Sequence, residues 1–384
     1  MNNLEFATVG KFICQPGAAG RLSEHCRAAG MRNPMLVSDK GLVAAGVLER
    51  VLAPLRKDNI EPLVYTDVEA DPPESIVHAA IESARSHGVD GVLAVGGGSS
   101  LDVAKLVAVL TRSKQSLSDI YGIGRVVGER LPMILIPTTA GTGSEVTPIS
   151  IVTTGATTKA GVVAAQLIPD LAILDAELTV GLPPPVTAAT GIDAMVHAIE
   201  ACTSKLKRNV YSEMLARRAL KLMSQNLLVA VEDGTNLEAR SQMLLGAMMA
   251  GQAFANAPVA AVHALAYPLG GNYHIPHGLS NSLVLPHVLR FNAPVAREDY
   301  ARLLTCVQPR SAVGQVDNDC RSFISFLEDL IAAVQLPRTL SEMSIPEKDL
   351  PMLADEAMEQ TRLLVNNPRE MTRADALAVY QAAY

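Results

Sequence analysis

Residues 90–100 read DGVLAVGGGSS, an apolar run that breaks into three glycines and two serines. The run predicts a buried strand, and residues 99–111 have the spacing of a helix. Glycines after a strand let a phosphate approach the backbone, and the start of the next helix offers free N–H groups and the positive end of its dipole. Alone, the segment is a weak signal for phosphate, because a glycine cluster after a strand is often only a tight turn, and it departs from the usual GxGxxG fingerprint.

Similar segments flank this stretch along the first half of the chain. Residues 33–38 (NPMLVS), 62–66 (PLVYT) and 131–136 (LPMILI) are further apolar runs, and residues 74–87 have helical spacing. Continuous apolar strands that alternate with helices are typical of a parallel sheet covered on both faces. We therefore predict an α/β fold for this half.

The pattern changes at residues 182–185 (LPPP), where three prolines interrupt regular structure. Nearly everything beyond them has the apolar periodicity of long amphipathic helices. The clearest cases are residues 187–202, 211–225, 237–254 and 320–334. We predict two domains: an α/β dinucleotide-binding domain over residues 1–182 and an all-helical metal and substrate domain over residues 183–384.

Composition narrows the function classes. Hydrophobic residues make up 49% and charged residues 18%, which suits a large buried core. With 4% aromatic residues, no Trp and a net charge of −7, the chain does not resemble a nucleic-acid binder. No secretory signal or membrane-spanning run is recognisable, so we expect a cytoplasmic protein without a membrane partner. We expect its scattered cysteines to be reduced, buried side chains: Cys14, Cys26, Cys202, Cys306 and Cys320.

A second glycine loop follows another predicted strand. Residues 138–144 (TTAGTGS) add hydroxyl groups that can bond phosphate or ribose. Two such loops at the ends of neighbouring strands favour a nucleotide at the carboxyl edge of the sheet. Asp39 follows the first clear strand, where a carboxylate can accept hydrogen bonds from an adenosine ribose and repel a 2′-phosphate, which favours NAD over NADP. An N-cap or turn role for Asp39 is an equal alternative.

The second half contains a candidate metal site. Asp193 and His197 are four residues apart, a spacing that puts both side chains on one face of a helix. His263 lies in another apolar helical stretch, and His277 lies at an apparent turn. One carboxylate and three imidazoles suit Zn²⁺ or Fe²⁺. Taken singly, the Asp193–His197 spacing often arises by chance. His263 could be a core histidine, and His277 could be a turn residue. All four residues lie in apolar surroundings, where an unpaired polar group is costly, and this favours the metal site.

Four motifs together resemble the iron-containing (group III) alcohol dehydrogenase family of the dehydroquinate synthase-like superfamily. Each is moderately specific, and all four in order with matching spacings are highly specific. The similarity extends over residues 37–292 and includes the later NPR at 367–369. The motifs are GGGSSLDVAK (96–105), PTTAGTGSEVTP (137–148), GIDAMVHAIE (191–200) and VHALAYPLGGNYHIPHG (262–278).

The resemblance implies an NAD-linked alcohol dehydrogenase or aldehyde reductase with its active site between an α/β domain and a helical domain. It implies Fe²⁺, with Zn²⁺ in some members, held by Asp193, His197, His263 and His277. It also implies a set of nucleotide-binding residues, in which Lys159 lies near the nicotinamide-side ribose. The set is Asp39, Gly96, Gly97, Gly98, Ser99, Asp102, Thr138, Thr139, Thr142, Ser144 and Lys159.

One position departs from the family pattern. Many members have a second His four residues after the first, near the substrate, and this chain has Tyr267 there. A phenol with an ordinary pKa near 10 is a poor base at neutral pH. Tyr267 is the candidate catalytic residue, but water or a ribose hydroxyl could equally carry the proton. His274 matches no ligand position and is interpreted as a loop residue.

Three other functions compete with this prediction. A maleylacetate reductase or a glycerol dehydrogenase would share the architecture with a different metal or pocket. A metal-dependent lyase or hydrolase on the related fold would turn over without net nicotinamide redox change. A binding protein that has lost catalysis is the third. The expected partners are a small alcohol or aldehyde and further copies of the chain, in a homodimer or larger assembly, with no nucleic acid.

Overall fold

The computed structural model describes residues 4–155, 158–308 and 314–384. Contacts between Cα atoms divide the chain into two compact units. One is Thr8–Leu182, and the other is Pro183–Tyr384 together with the residues that precede Thr8.

The first unit is built on a parallel sheet of six strands. The strands found among its described residues are β1 (Phe12–Cys14), β2 (Pro34–Val37), β3 (Leu63–Tyr65), β4 (Gly91–Gly96), β5 (Gly122–Ile123), β6 (Met133–Pro137), β7 (Ile149–Thr154), β8 (Thr158–Val163) and β9 (Leu171–Leu174). The order in the six-stranded sheet is β1-β9-β6-β4-β2-β3. The predicted parallel sheet is confirmed, and β4 lies near its centre.

Alternate residues of the central strands feed two separate cores, as expected for a sheet with helices on both faces. In β4, Val92 and Ala94 belong to one apolar cluster, whereas Leu93 and Val95 belong to the other. The covering helices are α1 (Leu22–Ala28), α2 (Lys40–Ala44), α3 (Val47–Lys57), α4 (Glu74–Ser86) and α5 (Gly98–Leu110). The β4 strand is buried at every position, which explains its unbroken apolar sequence.

A second, smaller sheet was not predicted from the sequence. Its order is β5-β8-β7, with β7 and β8 antiparallel and β5 parallel to β8. The β7 strand alternates partly exposed and buried residues, which is the pattern of a sheet with one covered face. Its sequence, ISIVTT, mixes hydroxyl-bearing and apolar side chains, and no strand was predicted there.

The second unit is helical, as predicted. Its helices are α6 (Pro184–Thr203), α7 (Val210–Glu232), α8 (Leu237–Asn256), α9 (Ala261–Tyr273), α10 (His277–Val307), α11 (Val316–Ala333), α12 (Leu350–Met358), α13 (Thr361–Leu364) and α14 (Arg373–Ala382). Pro183 is the N-cap of α6, and Pro184 and Pro185 are its first two residues, where no N–H donor is needed. Helix α6 is buried along most of its length and packs against α7, α8 and α10.

The cysteines are all free thiols, and four of the five are buried. The prediction of burial is wrong for Cys14, which lies exposed on the edge strand β1. Among the described residues no single helix is long and apolar enough to cross a membrane. Helices α8 and α9 pass that test only as a pair, and they are bent by 106°.

Candidate metal centre and nucleotide loops

Three helices of the second unit bring the predicted metal ligands together. Asp193 lies in the middle of α6, His263 in the first turn of α9, and His277 is the first residue of α10. One ligand atom from each of these three residues lies within 4.8 Å of the other two. The structure therefore brings three of the four predicted ligands together.

The carboxylate of Asp193 lies at the centre of the group. Its Oδ1 is 3.8 Å from Nε2 of His263 and 3.5 Å from Nε2 of His277. The side chains of Asp193 and His263 are each 3% exposed, whereas that of His277 is 34% exposed. Nε2 of His263 is buried and has no hydrogen-bond partner among the described residues. Because a buried polar atom without a partner is costly, this nitrogen is suited to a metal ion.

Electrostatics favour a cation at this position. Burial raises the pKa of Asp193, but the neighbouring imidazoles lower it by more than burial raises it, so that the net shift is downward. Burial lowers the pKa of His263, whereas Glu200 and Asp193 raise it more strongly. A carboxylate that stays ionised among imidazoles is a donor set that Zn²⁺ and Fe²⁺ accept.

His197 and Tyr267 flank this group. The ring of His197 stacks between Phe254, at a centroid distance of 4.2 Å, and His263, at 4.7 Å. Its ring nitrogens do not belong to the group of mutually close ligand atoms, which comprises Asp193, His263 and His277. The Tyr267 ring is 5.9 Å from the His277 ring between centroids. His274, by contrast, is exposed and ends α9 in a left-handed conformation, as expected for a loop residue.

Two polar residues beside the ligands were missed by the sequence reasoning. The Glu200 carboxylate is 2.7 Å from Nδ1 of His263, on the side of the ring opposite Nε2. Asn281 donates from Nδ2 to Oδ1 of Asp193 over 2.6 Å. A signal for both existed: Glu200 is seven residues after Asp193 and Asn281 is four after His277, so each shares a helix face with a ligand.

Gly278 permits α10 to approach α6 closely enough for the two helices to share the site. A Cβ atom at position 278 would lie 2.3 Å from the carbonyl oxygen of Ala189 and 3.2 Å from Cβ of Asp193. The first of these is a backbone atom, which cannot move aside as a flexible side chain would. The close approach of His277 to Asp193 therefore depends on glycine, which has no side chain, at position 278.

In the first unit, the two predicted glycine loops lie side by side. Because β4 pairs with β6, Gly96 is in register with Pro137, and the N–H of Thr138 donates to the Gly96 carbonyl over 3.0 Å. A Cβ on Gly98 would lie 2.7 Å from Cγ2 of Thr142, so a side chain at this position would force Thr142 to move. Helix α5 starts at Gly98 without a side-chain cap and without an acidic residue in its first turn. Its first N–H groups are thus suited to an anionic phosphate.

Asp39 is the N-cap of α2 and also lies beside the first glycine loop. Its Oδ1 caps α2 by accepting from the N–H of Leu42 over 3.0 Å. Its Oδ2 lies 3.7 Å from where a Cβ of Gly96 would be, beside the first loop. Lys159 lies on β8, where its Nζ pairs with Oδ1 of Asp71 over 2.5 Å.

Asp102, on α5, connects this helix to the second loop through hydrogen bonds. Its Oδ1 accepts from the Ser144 hydroxyl over 2.6 Å, and its Oδ2 accepts from the N–H of Ile151 over 2.8 Å. The remaining loop residues Ser99, Thr139 and Thr142 are partly exposed, and Thr138 is buried. Asp102 thus links α5 both to the end of the second loop and to β7.

Lys105 and Glu145 complete a buried charged cluster with Asp102. The Nζ of fully buried Lys105 donates to the carbonyls of Thr147 and Ile149, at 3.0 Å and 2.7 Å, and is 3.8 Å from Asp102. Burial lowers the pKa of Lys105 to about 8 and raises that of Glu145 to about 7. The cluster fixes the segment that follows the second loop against α5.

Replacing Glu145 with Gln is expected to change how stability depends on pH. The pKa of Glu145 rises from 4.5 to about 7 on folding, so between these values the folded state binds more protons than the unfolded state. The contribution of this group is complete below pH 4.5 and is lost as the pH rises through 7. The free energy of unfolding of the wild type, relative to Glu145→Gln, should fall by about 3 kcal/mol from pH 4.5 to 8.

Denaturant unfolding at a series of pH values measures this difference. The exposed Glu129 of the same unit provides the control, since Glu129→Gln should give a curve parallel to the wild type. Parallel curves for Glu145→Gln as well would contradict the prediction.

Comparison with known proteins identifies the family. The model for the iron-containing alcohol dehydrogenases matches residues 10–176, and the model for the C-terminal part of the Fe-containing alcohol dehydrogenase family matches residues 187–384. This chain belongs to the iron-containing alcohol dehydrogenase family. The family resemblance stated from the four motifs is thus confirmed.

Individual members of the iron-containing alcohol dehydrogenase family match over nearly the whole chain. Long-chain-alcohol dehydrogenase 1 of Geobacillus thermodenitrificans is 41% identical over 96% of this chain and 93% of its own length. The crystal structure of a 1,3-propanediol oxidoreductase superposes with a TM-score of 0.96 at 31% identity, covering 100% of both chains. The crystal structure of sulfoacetaldehyde reductase from Bifidobacterium kashiwanohense in complex with NAD⁺ superposes with a TM-score of 0.89 at 30% identity. The match covers 100% of this chain and 99% of that chain. The predicted fold class is confirmed.

Proposed function

We propose that this chain is a metal-dependent, NAD-linked alcohol dehydrogenase that interconverts a small alcohol and its aldehyde. The observation that carries the proposal is the convergence of Asp193, His263 and His277, with the buried Nε2 of His263 left without a hydrogen-bond partner among the described residues. The relatives support it, since they include a long-chain alcohol dehydrogenase, a 1,3-propanediol oxidoreductase and a reductase crystallised with NAD⁺.

The residues of the site fit a divalent metal. Asp193, His263 and His277 would hold it, and His197 would complete the set from the next turn of α6. Fe²⁺ is the proposed ion, with Zn²⁺ as the alternative, because both accept imidazole and carboxylate ligands. When bound, the metal supplies Lewis acidity toward a substrate oxygen, and the nicotinamide supplies the hydride chemistry.

The protein itself binds and orients the reactants. The α5 N-terminus and the hydroxyls of the second loop would hold the nucleotide phosphates and ribose, with Asp102 fixing the loop shape. Tyr267 beside His277 would hold a proton at its phenol oxygen and donate a hydrogen bond to the substrate oxygen. With an ordinary pKa near 10, a phenol is suited to donate rather than to accept at neutral pH. We propose Lys159 as a nicotinamide-side residue, with Asp71 limiting its reach.

The cellular setting is also a proposal. Five free thiols favour a reducing compartment, and we propose the cytoplasm. A homodimer or a larger homo-oligomer is the assembly that the family resemblance implies.

A reconstitution assay tests the function. Metal-stripped protein is loaded with Fe²⁺ without oxygen, or with Zn²⁺, and offered NAD⁺ or NADP⁺ with a panel of alcohols, diols and hydroxy acids. Nicotinamide reduction that requires the metal is the expected result. Full activity of the metal-stripped protein would refute the metal requirement. Nucleotide binding without any reduction would instead favour a lyase or hydrolase on this fold.

Asp39→Asn is expected to relax the preference for NAD over NADP. Asparagine keeps an oxygen that can cap α2 through the N–H of Leu42, but it removes the negative charge that faces the first loop. The ratio of kcat/KM for NAD⁺ to that for NADP⁺ should fall by about tenfold, which corresponds to roughly 1.4 kcal/mol. Asp39→Ala would in addition lose about 1 kcal/mol of stability with the cap. An unchanged ratio in Asp39→Asn would mean that Asp39 is only a cap.

A further inference from the structure

Glu200 is a buried carboxylate directly behind a metal-ligand candidate. It lies in the last turn of α6 and is 3% exposed. An ionised group at such a position is costly unless hydrogen bonds compensate for the lost hydration. Three donors surround it, and all three come from residues 260–263, at the start of α9.

The two oxygens of Glu200 divide these donors. Oε1 accepts from the N–H of Val262 over 2.7 Å. Oε2 accepts from the N–H of Ala260 over 2.9 Å and lies 2.7 Å from Nδ1 of His263. The carboxylate therefore caps the N-terminus of α9, where backbone N–H groups have no partner within the helix. Oε2 thus contacts both the backbone at the start of α9 and the ring of His263.

This contact determines which ring nitrogen of His263 carries the proton. A carboxylate can only accept, so its neighbour Nδ1 must be the donor. In the neutral ring the lone pair then lies on Nε2, the nitrogen 3.8 Å from Asp193 Oδ1. Carboxylate–histidine pairs of this kind orient metal-binding imidazoles and raise their basicity.

We propose that Glu200 is a positioning residue that fixes the Nδ1–H tautomer and the orientation of His263, so that Nε2 is presented to the metal. The inference rests on the proposed metal-dependent function. It also couples the structure at the start of α9 to the orientation of the His263 ring, because the same carboxylate accepts hydrogen bonds from both.

Glu200→Gln is the most direct variant, because glutamine has nearly the same volume. Its amide offers one oxygen and one NH₂ group where the carboxylate offers two acceptors, so in either orientation the NH₂ group faces a donor. Turned toward His263, the NH₂ group forces the ring proton to Nε2. Turned toward Val262, it opens the start of α9. The expected result is that the affinity for Zn²⁺ falls by about 10–100-fold.

Ser204→Ala is the matched control. The Ser204 hydroxyl donates to the carbonyl of Pro258 over 2.9 Å, so this variant loosens the same segment before α9 without contacting His263. The midpoint temperature of thermal unfolding, measured without metal, should be lower in both variants than in the wild type. Zn²⁺ affinity, measured by competition with a fluorescent chelator, should fall only in Glu200→Gln and stay within about twofold of wild type in Ser204→Ala. Equal affinities in wild type and Glu200→Gln, or equal losses in both variants, would overturn the proposal.

A measurement on the metal-free wild type avoids any dependence on the folding of the variants. Long-range ¹H–¹⁵N correlation spectra of histidine-labelled protein at pH 9 distinguish the two tautomers, with His263 assigned by its absence in His263→Asn. We expect Nδ1 of His263 to be protonated and Nε2 to be bare. A neutral ring protonated at Nε2 with Nδ1 bare would overturn the proposal. If the wild type shows that tautomer but binds no Zn²⁺ or Fe²⁺, the proposed function fails while the role of Glu200 in fixing the ring stands.

Discussion

His263→Ala is expected to abolish metal binding and to lower kcat/KM by about 1,000-fold. His263 is 2% exposed, and its Nε2, a proposed ligand atom, has no hydrogen-bond partner among the described residues. Lewis-acid stabilisation contributes several kcal/mol to such reactions, and about 4 kcal/mol corresponds to a thousandfold change in rate. Metal content after dialysis and steady-state kinetics at saturating nucleotide measure the two effects.

His274→Asn is the control for this prediction. His274 is exposed, belongs to the same segment of chain and has a φ of 54°, a left-handed conformation that asparagine adopts readily. Metal content and kcat/KM should therefore be unchanged. Nucleotide affinity should survive in His263→Ala, because the predicted nucleotide loops belong to the other unit. Retention of metal and of at least a tenth of the activity in His263→Ala would contradict the proposed ligand role.

Gly278→Ala is expected to have the second largest effect. The added methyl group would lie 2.3 Å from the carbonyl oxygen of Ala189, so α10 must shift away from α6. Overpacking of this kind costs about 3 kcal/mol, and more where backbone is the obstacle. Because His277 immediately precedes Gly278 and Asp193 lies on α6, the shift should also weaken metal binding. Chemical denaturation of the metal-free protein and Zn²⁺ titration measure the two losses separately.

Gly270→Ala provides a matched substitution on a neighbouring helix. A Cβ at this position of α9 would meet its nearest neighbour, the carbonyl oxygen of Ile275, at an ordinary 3.5 Å. Alanine in a helix interior is favoured over glycine by up to about 1 kcal/mol, so this variant should be as stable as the wild type or more stable. A neutral Gly278→Ala would show that the helices can separate without loss.

The parts of the fold that could be predicted are those in which burial leaves a continuous apolar sequence. The β4 strand and helix α5 are buried along nearly their full lengths, and the predicted bounds differ from the structure by one residue at most ends. The edge strand β1 has only three residues, two of them exposed, which are too few to establish a period. The β7–β8 hairpin depends on pairing between strands, which no local pattern encodes.

The site shows the same division. Glycine loops and histidines could be predicted because few residue types perform phosphate and metal binding. The spacing of Glu200 from Asp193 indicates only a shared helix face. Its role could not be predicted, because it depends on donors that lie 60–63 residues away in sequence and meet it only in the folded chain. The stacking of His197 between Phe254 and His263 likewise depends on three separate helices.

The buried cluster of Asp102, Lys105 and Glu145 also constrains how this family member can evolve. Removing the lysine alone leaves two buried carboxylates without their common counter-charge, and removing one partner of a buried ionic pair typically costs about 3–5 kcal/mol. An exchange of the whole cluster for apolar residues of similar volume can be neutral, but each single step toward it passes through a destabilised protein. The three positions are therefore expected to be inherited as a set, even where the surrounding apolar side chains drift freely.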